Sequence, residues 1–304
     1  MQVYDCFTFY NEFELLELRL KSLWHMVDYF VLVEANRTQN NKPKPFYFGE
    51  RMTDFKEFLP KIIHIPLEVN VDYQGVGDWQ IENGQRNAIM YGLENSAPDD
   101  LIFISDVDEI PSPDILQRIN ENREQIVSQC QIITTFVGKK SLTVPCQLLT
   151  SASELLEYVP IAMNQYFHWY YLDWLNTGVL WQGTILTKRK NLSTPQDLRN
   201  ARVILPRILD GGWHFSNMGG VERVIKKMTS TVESDEAVVK SNGKILDENH
   251  IRNCLKNGLD IWDRGRSDFV TLEHRDISNI KLPYLKEFVK RYPYFLREYD
   301  FGED

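Results

Sequence analysis

The sequence predicts an α/β fold in which a mostly parallel sheet is flanked by helices. Over the first two thirds of the chain, short apolar runs alternate with amphipathic stretches, which is the pattern of βα units around a parallel sheet. The 304 residues are 43% hydrophobic and 25% charged, the composition of a globular protein that can bury a large core. The sequence contains no internal repeat and no low-complexity linker, so we expect a single domain over residues 1–304.

The first βα unit follows from local signals at the N-terminus. The apolar run Val3–Phe9 predicts strand one, and Glu12–Met26 predicts a helix because its leucines recur mostly along one helical face. Asn11 is the expected N-cap of this helix, with Glu14 at the capping-box position. Strand two is predicted over Tyr29–Glu34.

The next elements lead to a fourth strand. The two prolines of Lys42–Pro45 exclude a helix or a central strand there, so residues 36–48 are predicted to form a loop. Lys61–Ile65 predicts a short third strand, Trp79–Leu93 a helix, and Leu101–Ser105 a fourth strand.

The C-terminal half is less regular and strongly aromatic. A strand-like segment at 131–137 is followed by a cluster of tryptophans, tyrosines and phenylalanine between residues 166 and 181. Helices are predicted over Val221–Val232, Asp247–Leu255 and Tyr284–Tyr292. We expect this half to form a helical and aromatic subdomain appended to the sheet.

Two aspartates, Asp106 and Asp108, directly follow the fully apolar fourth strand. This is the edge at which open α/β sheets place their ligands. Carboxylate oxygens suit Mn²⁺ or Mg²⁺, and such an ion can bridge two phosphates of a nucleotide. The alternative is a solvated turn or a pair of helix-capping residues.

A possible anion-binding arginine, Arg86, lies on the predicted helix about 20 residues earlier, within Gln85-Arg86-Asn87. Its guanidinium presents a fork of donors that matches a phosphate or a ribose. The alternative is a surface arginine paired with Glu82.

The net charge, the apolar runs and the cysteines exclude some classes of partner and indicate the compartment. A formal net charge of -9 argues against a surface that binds nucleic acid or an anionic membrane. No stretch approaches the roughly 18 consecutive apolar residues that a membrane span requires. The four cysteines contain no CxxC pair, so we expect free thiols, mostly buried, in a reducing compartment: Cys6, Cys130, Cys146 and Cys254.

Several of these segments together resemble the nucleotide-diphospho-sugar (GT-A) transferases and, within them, glycosyltransferase family 17. The resemblance rests on segments spread over nearly the whole chain: Asn11-Glu12-Phe13 with Arg19, Glu34–Thr38, Lys42–Pro45, Asp100–Pro111, Gly212-Trp213-His214 and Pro283-Tyr284-Leu285. It implies a GT-A fold with a nucleotide-sugar-binding half at 1–140 and an acceptor-side half at 141–304.

The same resemblance implies a metal-dependent, inverting glycosyltransferase. The donor would be UDP-N-acetylglucosamine and the cofactor Mn²⁺ or Mg²⁺. The acceptor would be a hydroxyl of an oligosaccharide, a glycoprotein or a lipid-linked glycan. An inverting transfer is a single displacement, so it requires one general base and a stabilised leaving diphosphate.

Site residues follow from the positions that match. The residues implied to bind the donor are Asn11, Glu34, Asn36, Gln85, Arg86, Asn87, Asp106 and Val107. The implied metal ligands are Asp106, Asp108 and His214, although a histidine beside a tryptophan can equally be a packed core residue.

The expected general base is Glu222, which follows two glycines at a predicted helix start, with Asp210 and Asp173 as alternatives. A glutamate in the first turn of a helix can also simply complement the helix dipole.

Other functions compete with this interpretation. The chain could use another nucleotide sugar on a bacterial or viral surface-glycan precursor, or it could be a carbohydrate-binding protein without turnover. A haloacid-dehalogenase-type phosphatase also places Asp-x-Asp after a strand, but usually near its N-terminus. Because Met1–Asp5 runs into strand one without a signal peptide, we expect a soluble cytoplasmic protein of bacterial or viral type. The Golgi lumen is expected only if an N-terminal anchor precedes this sequence.

Overall fold

The computed structural model describes residues 1–127, 132–137, 140–145, 151–262 and 270–302, and in the two short ranges only the backbone. The strands are β1 Val3–Thr8, β2 Tyr29–Ala35, β3 Ile62–Leu67, β4 Leu101–Asp106, β5 Glu109–Pro111, β6 Ile126–Val127, β7 Ile132–Val137, β8 Lys140–Pro145, β9 Ile161–Trp169, β10 Trp174–Lys188, β11 Arg207–Ser216 and β12 Leu272–His274. The α-helices are α1 Phe13–Leu23, α2 Tyr47–Arg51, α3 Gln80–Asn87, α4 Ile115–Asn120, α5 Ala152–Leu156, α6 Pro195–Ala201, α7 Val221–Met228, α8 Val232–Lys240, α9 Glu248–Asn257, α10 Leu285–Arg291 and α11 Arg297–Phe301. Short 3₁₀ helices are Met52–Phe55, Leu59–Lys61, Ala88–Leu93, Arg189–Asn191, Lys244–Leu246, Ile277–Asn279 and Pro293–Phe295.

The first four strands form a parallel sheet in the order β3-β2-β1-β4. Side chains of β1 alternate between its two faces, so that Phe7 joins one hydrophobic core and Cys6 joins a second core on the other side. Both faces are therefore covered, which is the usual condition of parallel strands. The predicted βα units of the N-terminal half are confirmed.

The sheet as a whole is mixed, and the prediction of a mostly parallel sheet is not confirmed. It continues in the order β4-β10-β9-β11-β5, in which β10 runs antiparallel to both β4 and β9. The cause is the short connection 170–173 between β9 and β10, since a hairpin-length link can only join antiparallel strands. In addition, β11 is parallel to β9 but antiparallel to β5.

The aromatic segment at 166–181 lies in β9, β10 and their connection, and so belongs to the main sheet. The sequence interpretation of a helical and aromatic subdomain missed these strands. Trp169, Tyr170 and Tyr171 are buried in a third core, which they share with apolar residues of α7 and α9.

The start of α1 differs from its prediction. The N-cap is Glu12, not Asn11, and it makes no side-chain capping bond. Its carboxylate instead accepts hydrogen bonds from the backbone N–H groups of Tyr10 and Asn11, at 3.2 and 3.0 Å. The predicted capping-box residue Glu14 binds Arg223 of α7 and the hydroxyl of Tyr294. It therefore ties the helix to later parts of the chain.

The predicted helix Val221–Val232 is two helices, α7 and α8, because Thr231 caps the second by accepting a hydrogen bond from the N–H of Ser234. Asp247 caps α9 in the same way through the N–H of His250.

Two of the predicted thiols can be located. Cys6 is buried in β1, and Cys254 is buried in α9, where its sulfur lies 3.7 Å from His250 Nε2. Cys130 and Cys146, like Gln131 at the start of the predicted strand 131–137, lie outside the described residues. Within the described part of the chain, no helix has the length and apolar character needed to cross a membrane.

Candidate functional site

A cavity of about 630 Å³ opens at the carboxyl ends of β1 and β4. Thr8 is the last residue of β1 and Asp106 the last of β4, and the two stand opposite each other in the parallel register. Both line the cavity, as does Asp108. The predicted placement of a polar site at this edge of the sheet is thus observed.

Arg19 of α1 donates hydrogen bonds to the backbone of the turn that carries the two aspartates. Its Nη1 donates hydrogen bonds to the carbonyl oxygens of Asp106, Val107 and Glu109, at 3.0, 3.2 and 2.9 Å. Its Nε and Nη2 bind the carboxylate of Asp5 at 2.7 and 2.5 Å. Because one buried guanidinium satisfies these groups together, the turn has a fixed backbone beneath the cavity.

The carboxylate of Asp106 is fully engaged with protein donors. It accepts hydrogen bonds from Thr8 Oγ1 at 2.8 Å, from Arg86 Nη2 at 3.0 Å and from Arg199 Nη2 at 2.9 Å. Burial alone would raise the pKa of Asp106, but the guanidinium groups of Arg86 and Arg199 hold that pKa well below its usual range. Asp106 is therefore an anion that bridges two arginines.

Glu109 supports this arrangement and is itself completely buried. Arg199 donates to both of its oxygens, at 2.8 and 2.7 Å, and Trp181 Nε1 donates at 2.6 Å. Gly183 leaves room for the carboxylate, since a Cβ at this position would lie 2.7 Å from Glu109 Oε1. The carbonyl of Gly183 also accepts a hydrogen bond from Arg199 Nη1 at 2.7 Å.

Asp108 faces a different pair of groups. Lys227 Nζ of α7 lies 3.2 Å from its Oδ2, and His214 Nε2 of β11 lies 3.7 Å from its Oδ1. Burial would raise the pKa of Asp108, but its interactions with Lys227 and His214 lower that pKa to about 2. The imidazole of His214 is stacked between the rings of Phe167 and Trp181, at centroid distances of 4.8 and 4.7 Å.

Two of the three predicted metal ligands, Asp108 and His214, lie side by side. Asp108 and His214 face each other at a separation too long for a hydrogen bond, and His214 Nδ1 has no hydrogen-bond partner within the described residues. The carboxylate of Asp106, the third predicted ligand, already accepts hydrogen bonds from Arg86 and Arg199. Across the described ranges, no group of three or more histidine, cysteine, aspartate or glutamate side chains is arranged to hold a metal.

Further cationic groups line the cavity, namely Arg37, Lys44 and Arg202. Burial lowers the pKa of Lys44 to about 8, although Glu34 and Glu12 oppose this effect. Its ammonium lies 4.9 Å from the ring centroid of Tyr47. Together with Arg86, Arg199 and Lys227, these groups give the described lining six cationic side chains. They are matched by six carboxylates, those of Glu12, Glu82, Asp106, Asp108, Glu109 and Glu233.

Four of the eight predicted donor-binding residues line the cavity, namely Gln85, Arg86, Asp106 and Val107. The other four are not among its lining residues within the described chain. Glu34 is completely buried, and its carboxylate accepts hydrogen bonds from Phe48 N, Gly49 N and His64 Nε2. The side-chain oxygens of Asn36 and Asn87 accept hydrogen bonds from Val69 N and Gln196 N, respectively. Asn11 directly precedes Glu12, the N-cap of α1.

The three expected general bases also stand outside the described cavity lining. Glu222 is exposed in the first turn of α7. Asp210 accepts a hydrogen bond from the hydroxyl of Tyr166 at 2.5 Å, and Asp173 accepts one from Arg297 N at 3.2 Å. The structure does not bring these carboxylates together with Asp106 or Asp108.

Sequence reasoning missed carboxylates and cations that do line the cavity. Besides the Asp106–Glu109 turn, the lining carboxylates of the described chain are Glu12, Glu82 and Glu233. Burial raises the pKa of Glu82. Nothing in the sequence around Arg199 or Lys227 indicates that these residues line a site, because each lies on a short helix among other charged residues.

The first part of the chain is similar to a known family. Residues 1–131 match glycosyltransferase family 17, which confirms over this segment the resemblance drawn from the sequence. Two relatives, from Homo sapiens and Rattus norvegicus, are both named β-1,4-mannosyl-glycoprotein 4-β-N-acetylglucosaminyltransferase, and each is 32% identical over 110 residues. The matched segment covers 34% of this chain but only 21% and 20% of those proteins, so the chain spans about a fifth of their length. His214, Arg199 and Lys227 all lie beyond residue 131.

Proposed function

Because residues 1–131 match glycosyltransferase family 17, we propose that the chain is a glycosyltransferase of GT-A fold that uses a nucleotide-diphosphate sugar as donor. The observation that carries the proposal is the turn from Asp106 to Glu109, fixed by Arg19 at the edge of the sheet and facing a cavity whose lining includes six arginine and lysine side chains. A diphosphate is the type of ligand that such a set of arginines and lysines binds.

The proposed donor is UDP-N-acetylglucosamine. Support comes from the relatives, whose name specifies transfer of N-acetylglucosamine to a β-1,4-mannosyl glycoprotein. We propose an acceptor of the same general kind, a hydroxyl of a mannose-containing glycan.

We propose that Asp108 and His214 hold Mn²⁺ or Mg²⁺ together with phosphate oxygens of the donor. When bound, the ion supplies positive charge that stabilises the leaving diphosphate. Arg86 and Arg199, which bridge Asp106, keep the nucleotide side of the cavity cationic. Lys227 neutralises Asp108 when the ion is absent.

We propose an inverting reaction, which needs a single carboxylate as general base. Since Glu222, Asp210 and Asp173 stand outside the described cavity lining, the better placed candidates are Glu12, Glu82 and Glu233, which line it.

The test is release of UDP from UDP-N-acetylglucosamine in the presence of Mn²⁺, with water or a glycan as acceptor. We expect slow release with the wild-type protein and none with Asp108→Ala. The Asp54→Ala variant is a matched control, because this aspartate forms an exposed pair with Arg51 away from the cavity. If neither UDP nor the sugar nucleotide binds with any divalent metal, the proposal is wrong.

Two further assays separate the competing functions. Release of phosphate from p-nitrophenyl phosphate would indicate a phosphatase. Binding of glycans without any consumption of the donor would indicate a carbohydrate-binding protein.

A further inference from the structure

A second cavity, of about 720 Å³, adjoins the first. It lies along α8, and its lining includes Glu236, Lys240 and Lys244. Two described residues, Glu233 and Trp262, line both cavities. The two spaces are therefore neighbours at these two side chains.

A series of aromatic ring contacts connects Trp262, which lines both cavities, to His214, one of the proposed metal ligands. His214 stacks on Phe167 at 4.8 Å, Phe167 on Trp169 at 5.3 Å, and Trp169 contacts Trp262 at 5.6 Å. Because Phe167 and Trp169 are buried in β9, this series of rings has a rigid base. Trp262 consequently has a set position at the boundary between the cavities.

The second cavity carries fewer charged groups than the first: four among its described lining residues, against twelve. Glu236 and Lys240 form an ion pair on one face of α8, with Nζ and Oε1 2.7 Å apart. Glu233 and Lys244 add one charge of each sign, so the surface carries no excess of cations. Its apolar lining comes from Trp262, Ala237 and Ile245. Hydrogen-bonding groups, balanced charge and one large ring suit an uncharged, hydroxyl-rich ligand with apolar patches, which describes an oligosaccharide.

We propose that the second cavity binds the acceptor oligosaccharide, that Trp262 stacks on one of its sugar rings, and that Glu233 is the general base. This inference rests on the proposed function, since it assumes a donor sugar in the first cavity. The acceptor hydroxyl must meet the anomeric carbon where the two cavities join, and Glu233 is the carboxylate lining both of them within the described chain.

The transfer step then balances as follows. The acceptor oxygen forms the new bond to the anomeric carbon with its own electron pair. Its proton passes to the carboxylate of Glu233. The bond from the anomeric carbon to the diphosphate oxygen breaks, and its electron pair leaves with the nucleoside diphosphate.

Calorimetry tests the binding part of the proposal. The protein, saturated with UDP and Mn²⁺, is titrated with free oligosaccharides of two to five sugars, including one with a β-1,4-linked mannose, and with mannose alone. We expect oligosaccharides to bind more tightly than mannose. Trp262→Ala should weaken the tightest one at least tenfold and leave the affinity for UDP within twofold. Trp262→Phe, which keeps an aromatic ring, should retain most of the affinity.

Two results would overturn the binding proposal: no oligosaccharide of the panel binds although UDP does, or Trp262→Ala leaves glycan binding unchanged. Failure of UDP itself to bind would instead refute the proposed function. The two failures are therefore distinguishable.

Kinetics tests the base. Glu233→Gln should lower kcat for transfer about 100-fold, leave both binding constants unchanged and remove the acidic limb of the pH profile. Glu248→Gln, which changes an exposed first-turn glutamate of α9, is the control. Transfer by Glu233→Gln at more than half the wild-type rate would refute the assignment.

Discussion

Arg19 and Asp5 form an ion pair in which both side chains are completely buried, with Nη2 and Oδ1 2.5 Å apart. The same guanidinium donates to three carbonyl oxygens of the turn that carries Asp106 and Asp108. The stability of the core and the shape of the site thus depend on one side chain. This relationship makes a double substitution informative.

We expect Arg19→Met to lower the free energy of unfolding by about 3–5 kcal/mol, because it leaves the Asp5 carboxylate buried and unpaired. The double variant Arg19→Met with Asp5→Leu should recover much of this loss, since it removes both charges. UDP binding should remain lost in both variants, because the turn no longer has its donors. Urea denaturation and calorimetry measure the two effects. Recovery of UDP binding in the double variant would contradict the role given to Arg19.

Arg199 provides a second test, in a part of the chain beyond the family match. Arg199→Met leaves Glu109 buried without its main partner, so we expect a loss of about 3–5 kcal/mol in stability, accompanied by weaker UDP binding. Arg51→Met, which breaks an exposed pair with Asp54, should cost less than about 1 kcal/mol. Equal losses in the two variants would show that Arg199 has no special role.

Lys227 is expected to compete with a metal ion for Asp108. Removing its charge in Lys227→Met should raise the affinity of the nucleotide-free protein for Mn²⁺ about tenfold, since like charges a few ångströms apart near a surface repel by more than about 1.4 kcal/mol. Electron paramagnetic resonance of free Mn²⁺ measures the affinity. Unchanged or weaker Mn²⁺ binding would mean that Asp108 is not a metal ligand.

The pKa of Lys44, lowered by burial to about 8, predicts a pH dependence of donor binding. Below pH 8 the amine is charged and can attract a diphosphate, and above pH 8 it loses its proton. A bound diphosphate favours the charged form, so UDP binding at pH 8.5 should take up a fraction of a proton, up to roughly three quarters. Calorimetry in buffers of different ionisation enthalpy measures this uptake. It should vanish in Lys44→Gln and persist in Lys42→Gln, whose amine is exposed and bonds to the carbonyl of Thr229.

Glu222 and Glu233 occupy equivalent positions in the first turns of α7 and α8, but only Glu233 is among the described cavity-lining residues. We therefore expect Glu222→Gln to keep kcat within about twofold, whereas loss of a general base costs about 100-fold or more. A loss of that size in Glu222→Gln, with donor binding intact, would return the role of base to the residue that the sequence favours.

The sequence predicts the N-terminal half of the fold well, because each parallel strand is a continuous apolar run and each intervening helix has an apolar face. The strands β9 and β10 were missed because their aromatic and polar residues do not follow a simple alternation: β10 exposes several of its first residues and buries its last ones. The two aspartates could be located from their strand alone.

Their partners could not be located in this way. Arg199 contacts Asp106 across 93 residues of sequence, and nothing near it distinguishes it from a surface arginine on a short helix. Glu34 was expected to bind the donor, but its carboxylate already accepts hydrogen bonds from backbone N–H groups of α2 and from the ring of His64. The sequence around Glu34 does not indicate these partners.

The separation between Asp106 and Arg199 has a consequence for how the protein is made. The segment that resembles its relatives, residues 1–131, contains the acidic turn but none of the groups that neutralise it from the other side. Assembly of the site therefore requires closure of a loop of more than ninety residues, at the entropic cost that this carries. Before this loop closes, Glu109 lacks its counter-ion Arg199. Fragments that end before α6 should therefore not form the site and should not be used to study the activity.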